Sequence, residues 1–256
     1  MLYDIEIQTP TPAFAGCWSS AGHHLQNHGQ GALYWLKCDL LPPFLEHLSF
    51  RIGNQLVFVR LEDTNGELEI PGNPSGTEII ARRCNGIACR MPMRFINSSW
   101  QPEYPDWGLI DFHSGTLITP VSLISNENIL MTDWEIHDVA VQLVRSHVQD
   151  KLGRKILSSQ GNPDVDPSIW FKGLNGPEWI LVRASRTPES IVQLPDSLTE
   201  ITNYYSHMAD KGYFASVNIA SAQALDGRHD VSFTRDLWRG YKMAAFCNGL
   251  RTITLD

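Results

Sequence analysis

NPDVDPSIWFKGLNGPEWILVRASR, residues 162–186, is the stretch on which the reading of the second half of this chain turns. Two apolar runs, Ile169–Phe171 and Trp179–Val182, flank the segment Gly173-Leu174-Asn175-Gly176-Pro177. β-Branched and aromatic residues favour strands, and a Gly/Asn/Pro cluster between them marks a tight connection, so an antiparallel hairpin is expected. Asp164 and Asp166 precede the first run, Lys172 and Glu178 border the connection, and Arg183 ends the second run. Acidic and basic groups are thereby placed at the rim of a hairpin whose centre is apolar.

Upstream of the hairpin, TDWEIHDVAVQLVRSHVQDKLG predicts an amphipathic helix. Ile136, Val139, Ala140, Leu143, Val144 and Val148 recur at the i, i+3, i+4, i+7 spacing of one buried face. Thr132 and Glu135 have the spacing of a capping box, and Gly153 follows as a stop. RKILSSQ then reads as a strand. Downstream, DSLTEITNYYSHMADKG predicts a helix opened by a second capping box, Ser197 with Glu200, and closed at Gly212; YFASVNIASA reads as another strand. The tail from Phe233 onward predicts one more helix, with Arg235, Arg239 and Lys242 on one face, and then a closing strand.

The resulting order over residues 133–222, helix, three strands, helix, strand, resembles the common core of the PD-(D/E)XK nuclease superfamily, the restriction-endonuclease-like fold. That resemblance implies a helix glutamate, an aspartate opening the second strand and a (D/E)-x-K triplet on the third, whose carboxylates hold Mg²⁺ while the lysine positions the attacking water. Carried over residue by residue, the pattern meets Ser168 at the aspartate, Leu181 at the second acid and Arg183 at the lysine. Leucine binds no metal, and arginine stays protonated at any accessible pH. A migrated site would use Asp166, Glu178 and Glu135 as acids and Lys172 or Arg183 as the basic group. It would make the protein a Mg²⁺-dependent nuclease. With the aligned positions lost, the expectation is a non-catalytic binding or regulatory protein on a degenerate nuclease scaffold, with no cofactor and a protein partner. Bacterial immunity proteins and defence accessories are examples of such a role.

Residues 1–131 read as a mostly β domain, making the chain α+β in two parts, 1–131 and 132–256. LSFRIGNQLVFVRLED sets two alternating runs around Gly53-Asn54, and LIDFHSGTLITP repeats the device around residues 113–115. SGTEIIARRCNG predicts a short helix capped by Ser75 or Thr77 and closed by Gly86. Scattered prolines suit loops and edge strands better than a parallel sheet. GHHLQNH reads as a loop; His23 and His28 with Cys84 and Cys89 are a weak zinc candidate, and Cys17 with His113 a weak nucleophile pair. Trp100 and Trp107, in SSWQPEYPDWGL, are candidate interface aromatics: no lysine or arginine accompanies them, as base stacking would require.

Charge narrows the partners further. The first part has seven basic against thirteen acidic residues and the second thirteen against fifteen, within a net charge of −8. Such a balance repels polyphosphate, leaving Arg235, Arg239 and Lys242 as the one candidate phosphate-binding patch. Five cysteines in irregular spacing form no disulfide framework. The first ten residues carry no signal-peptide pattern, and no run is apolar enough for a membrane span, so a cytoplasmic location is expected.

Overall fold

A computed structural model describes residues 2, 10–38, 47–186, 192–209, 211–222 and 236–253. The chain is α+β and divides into two compact units, one of residues Gln8–Ile129 and the other of Leu130–Asp256 with Met1–Ile7. The division falls two residues before the boundary expected from the sequence and returns the first residues to the second unit, where Leu2 bridges Asp166. Among the described residues no helix is long and apolar enough to cross a membrane.

The N-terminal unit opens with a helix that the sequence reading missed, α1 (Pro12–Gly29). Thr11 caps it by accepting the Phe14 N–H, and Pro12 occupies the first turn, where no amide is needed. Phe14, Cys17, Trp18, Ala21 and Leu25 form its buried stripe. They pack on one face of a seven-stranded sheet of β1 (Leu33–Lys37), β2 (Leu48–Ile52), β3 (Gln55–Asp63), β4 (Ile87–Ile96), β5 (Ser99–Pro102), β6 (Leu109–Asp111) and β7 (Leu117–Ile118). Both sequence-predicted hairpins are present, β2–β3 with Gly53 at φ +55° and β6–β7. The helix α2 (Pro74–Arg83) is also found, though Asn73 caps it in place of Ser75 or Thr77. Contrary to the proline argument, β3 and β4 run parallel, with α2 as the crossover. The reason lies in β3, whose residues from Leu56 to Leu61 are all buried, as a strand covered on both faces must be.

The C-terminal unit follows the expected order through residue 221: α3 (Asp133–Ser146, continued by one wider turn to Lys151), β8 (Ile156–Ser159), β9 (Ile169–Lys172), β10 (Pro177–Ser185), α4 (Leu198–Tyr205) and β11 (Gly212–Ser221). The tail departs from expectation. Residues 243–253 form β12 (Met243–Cys247) and β13 (Arg251–Ile253), both antiparallel to β11, not a helix. Gly240 and Gly249, each at φ +84°, turn the chain before and after β12. The sheet order is β12-β11-β10-β9-β8, antiparallel throughout except for the parallel pair β10–β11.

Alternation along β10 sets the layers. Ile180 and Val182 meet Ile136, Ala140, Val141 and Val144 of α3, whereas Trp179 and Leu181 meet Ile201 and Tyr205 of α4 on the other face. Thr132 and Glu135 form the expected capping box of α3. Ser197 makes no such cap for α4, and Gly212 belongs to β11, not to the helix end. There Gly212 pairs with Trp179, and a Cβ at 212 would overlap the indole ring. Gly212→Ala is therefore expected to destabilise the C-terminal unit by about 1–3 kcal/mol, the usual scale of overpacking. The urea midpoint measures this, and an unchanged midpoint would refute the packing assigned to Trp179.

Candidate functional site

The hairpin β9–β10 has a fixed register in which Ile169 faces Ile180 and Lys172 faces Pro177. Just before β9, Ser168 donates its N–H to the Ile180 carbonyl, and Asp166 lies within reach of Arg183 at the end of β10. The two positions at which a nuclease core would carry its strand acids, Ser168 and Leu181, are each fully excluded from solvent. The Ser168 hydroxyl accepts the Val182 N–H at 3.3 Å, so it serves the sheet's own backbone.

Farther along β10, Arg183 grips Asp166 with both terminal nitrogens, Nη1 to Oδ1 at 2.8 Å and Nη2 to Oδ2 at 2.6 Å. The planar fork of the guanidinium matches the two carboxylate oxygens, which makes this the strongest form of ion pair. The loop is held so that Asp166 arrives there. Gln160 donates to the carbonyls of Val165 and Pro167 and accepts the Asn162 N–H, and the Tyr205 hydroxyl donates to the Asp166 carbonyl at 3.0 Å.

Glu135 has a comparable partner. Its carboxylate accepts from Nε and Nη2 of Arg239 at 2.8 and 2.9 Å while also taking the Thr132 N–H of the capping box. Glu135 and Arg239 are 8% and 4% exposed, so the pair is internal. Main-chain pairing of Met131 with Leu237 and of Leu130 with Trp238 carries Arg239 to the start of α3. Arg186, just past β10, adds a surface pair to Asp133.

Glu178 does not join these groups. It faces Phe171, five positions along β10 from Arg183, which at about 3.3 Å per residue is roughly 16 Å, and on the opposite face of the strand. Its carboxylate accepts from the Tyr213 hydroxyl, and burial together with that acid raises the Tyr213 pKa. Lys172 is exposed at the same far end. The expected convergence of Asp166, Glu178 and Glu135 is therefore absent, because Arg183, which holds Asp166, and Glu178 are an odd number of positions apart on β10. Among the described residues no three His, Cys, Asp or Glu side chains gather as a metal site.

The other candidates are placed as follows. Arg235 lies outside the described residues. Arg239 is inside the C-terminal unit and Lys242 is exposed in the turn before β12, so the helical basic face is not formed. His23 and His28 sit on α1, where their Nδ1 atoms hydrogen-bond to the carbonyls of Ser19 and His24. Cys89 faces the α1 side of the sheet and Cys84 ends α2, which rules them out as a joint ligand pair with the histidines. Burial pushes the Cys89 thiol up to about 12, and burial, with Asp63 adding, does the same to Cys17. Cys17 lies in the core beside Trp18, whereas His113 is in an exposed turn against Glu78, so the nucleophile pair is absent. Trp107 is a core residue stacked on Phe50 at 6.2 Å, not an interface residue; Trp100 stands at a groove in the N-terminal unit. The sequence reading missed the roles of Gln160, Tyr205 and Asp133, all common polar residues with no motif around them.

Residues 134–253, from α3 to β13, match a family model described as a domain of unknown function, DUF8840. No curated protein matches the chain, and no solved structure does.

Two outcomes follow from this geometry. Arg239→Met strands the Glu135 carboxylate in the interior and should cost about 3–5 kcal/mol, while adding Glu135→Leu should recover a large part of that loss. A double-mutant cycle on urea midpoints reads the coupling, and strictly additive effects would refute the pair. Among the described cysteines, Cys38 is exposed, Cys247 is half-buried, and Cys17, Cys84 and Cys89 are buried. A thiol-specific reagent should label Cys38 first in the native protein and reach the three buried thiols only on unfolding; native labelling of Cys17 would contradict its burial.

Proposed function

We propose that the C-terminal unit is a restriction-endonuclease-like core whose metal-binding positions have become packing and ion-pair contacts, and that the protein is a non-catalytic binding or regulatory protein engaging a protein partner. The observation that carries this reading is the Asp166–Arg183 ion pair next to the buried positions Ser168 and Leu181. The α-β-β-β-α-β order, with the third and fourth strands parallel and a helix on each face, supports the scaffold half of the proposal.

The donor chemistry supports the non-catalytic half. A divalent cation needs carboxylate oxygens with free lone pairs converging at about 2.0–2.6 Å. Here two of the three candidate acids are occupied by guanidinium groups, whose positive charge opposes a cation in the same place, and the third is remote. Mg²⁺ does not fit these residues, and no hydrolytic step is assigned. The acidic N-terminal unit and the internal position of Arg239 likewise favour a protein over a nucleic acid as partner. A cytoplasmic setting agrees with the free thiols.

Isothermal titration of Mg²⁺ and of Mn²⁺ into wild type and Asp166→Ala tests the reading. No saturable heat is expected for either ion, and no cleavage of supercoiled plasmid in their presence. Stoichiometric binding that Asp166→Ala abolishes, accompanied by cleavage, would replace it with the metal-dependent nuclease.

A further inference from the structure

The N-terminal unit contains a groove of about 590 Å³ that nothing above has used. One wall is the outer side of α1, where Ala13 and Gly16 present little bulk. The other wall is the tip of the β4–β5 hairpin, carrying Phe95 and Trp100. These two face each other across the hairpin with ring centroids 5.2 Å apart, and Phe95 is 49% exposed. Asn97 and Ser98, both at positive φ (52° and 62°), close the two-residue turn and fix the tip. The end of β3 and the turn that follows it contribute Asp63 and Glu67.

Three properties of this groove point the same way. Its size lies in the range of ligand-binding clefts, about 300–1,000 Å³. Its ionisable groups are of one sign: two carboxylates line it, and no lysine, arginine or histidine does. Asp63 is held in place by the N–H groups of Asn65, Glu67 and Leu68, which fix its direction without supplying a countercharge from a side chain. Aromatic faces attract cations through their quadrupole, and an adjacent carboxylate adds a direct Coulombic attraction. An apolar stem ending in a positive charge complements such a groove; an anion or a phosphate does not.

We propose that this groove docks a basic peptide segment of a protein partner, with the alkyl stem of a lysine or arginine against Phe95 and Trp100 and its charge toward Asp63 and Glu67. The wall of α1 between Pro12 and Ser20 is about 12 Å long at 1.5 Å per residue, a length that about four extended residues cover. The excess of acidic residues over the first 131 positions, thirteen against seven, steers the same class of segment toward the unit. The inference deepens the binding reading above and rests on it for the partner being a protein.

Fluorescence anisotropy with the full chain and labelled hexapeptide pools is the test. One pool fixes arginine or lysine at the centre, a second norleucine and a third glutamate, with the flanking positions randomised over neutral residues. The basic pool should bind, weaken as salt is raised from 50 to 500 mM, and lose about tenfold in affinity on Glu67→Lys or Trp100→Ala. Glu67→Gln, a surface change with no consequence for folding, should lose less than Glu67→Lys in the same direction. The glutamate pool should not bind. Absence of basic-pool binding, or equal binding to wild type and all three variants, overturns the proposal. So does arginine amide binding as tightly as the pool, because the peptide would then contribute nothing. A failed peptide test with silent metal titrations removes the groove alone, whereas saturable Mn²⁺ binding that depends on Asp166 removes the non-catalytic reading whatever the peptides do.

Discussion

The antiparallel register of β9 against β10 decides which side chains of the C-terminal unit meet, and most of that unit follows from it. β10 is buried on both faces from Trp179 to Val182, so its alternation is read by α3 on one side and α4 on the other. A slip of one residue in its side-chain alternation would turn Arg183 into the apolar layer under α3 and withdraw Ile180 and Val182 from it. The Asp166–Arg183 pair penalises such a slip, because its two parallel hydrogen bonds form only in one alignment. Tyr205 ties the same loop to α4, so the register is coupled to the helix that covers it.

The two carboxylate–arginine pairs, Glu135–Arg239 internal and Asp166–Arg183 part-buried, play related parts. Buried ion pairs contribute little net stability relative to apolar packing, but losing one partner is costly, which makes them determinants of geometry more than of free energy. Glu135–Arg239 joins the start of α3 to the segment before β12, about a hundred positions away in sequence, and Asp166–Arg183 joins the loop before β9 to the end of β10. On the scaffold reading, a metal-dependent relative would balance the same kind of carboxylates with a divalent cation. Here the positive charge is supplied by the chain itself. That exchange makes the charge balance independent of metal supply and leaves no vacant coordination position for a water nucleophile.

Much of the fold was legible because its signals were local. The stripe and capping box of α3, the Gly53-Asn54 turn and the Gly173–Pro177 connection each lie within a few residues of the element they define. α1 was missed although Thr11-Pro12 is a strong start signal, because Gly16, Gly22 and three histidines masked a stripe whose apolar members are spread over Phe14, Cys17, Trp18, Ala21 and Leu25. The tail was misread because Arg235, Arg239 and Lys242 fall at helical spacing, while Gly240 and Asn248-Gly249 were the turns that governed it. The ion pairs are a different matter. Asp166 and Arg183 were both singled out, yet only the register reveals that they face each other, and nothing in the local sequence around Glu135 points to Arg239.

Where polar groups are consumed also bears on where recognition chemistry is found. In the C-terminal unit Asp166, Arg183, Glu135 and Arg239 satisfy one another, and Ser168 satisfies the backbone, so the residues that resemble catalytic ones are turned inward toward the fold. In the N-terminal unit Asp63 and Glu67 line a groove, and the exposed ring of Phe95 lies outside the core built by α1 and β3. Packing against Trp100 covers one side of the Phe95 ring and leaves the other side open to the groove. The retention of that open side at a turn as tightly specified as Asn97-Ser98 is better explained by an external cation than by the stability of the hairpin itself.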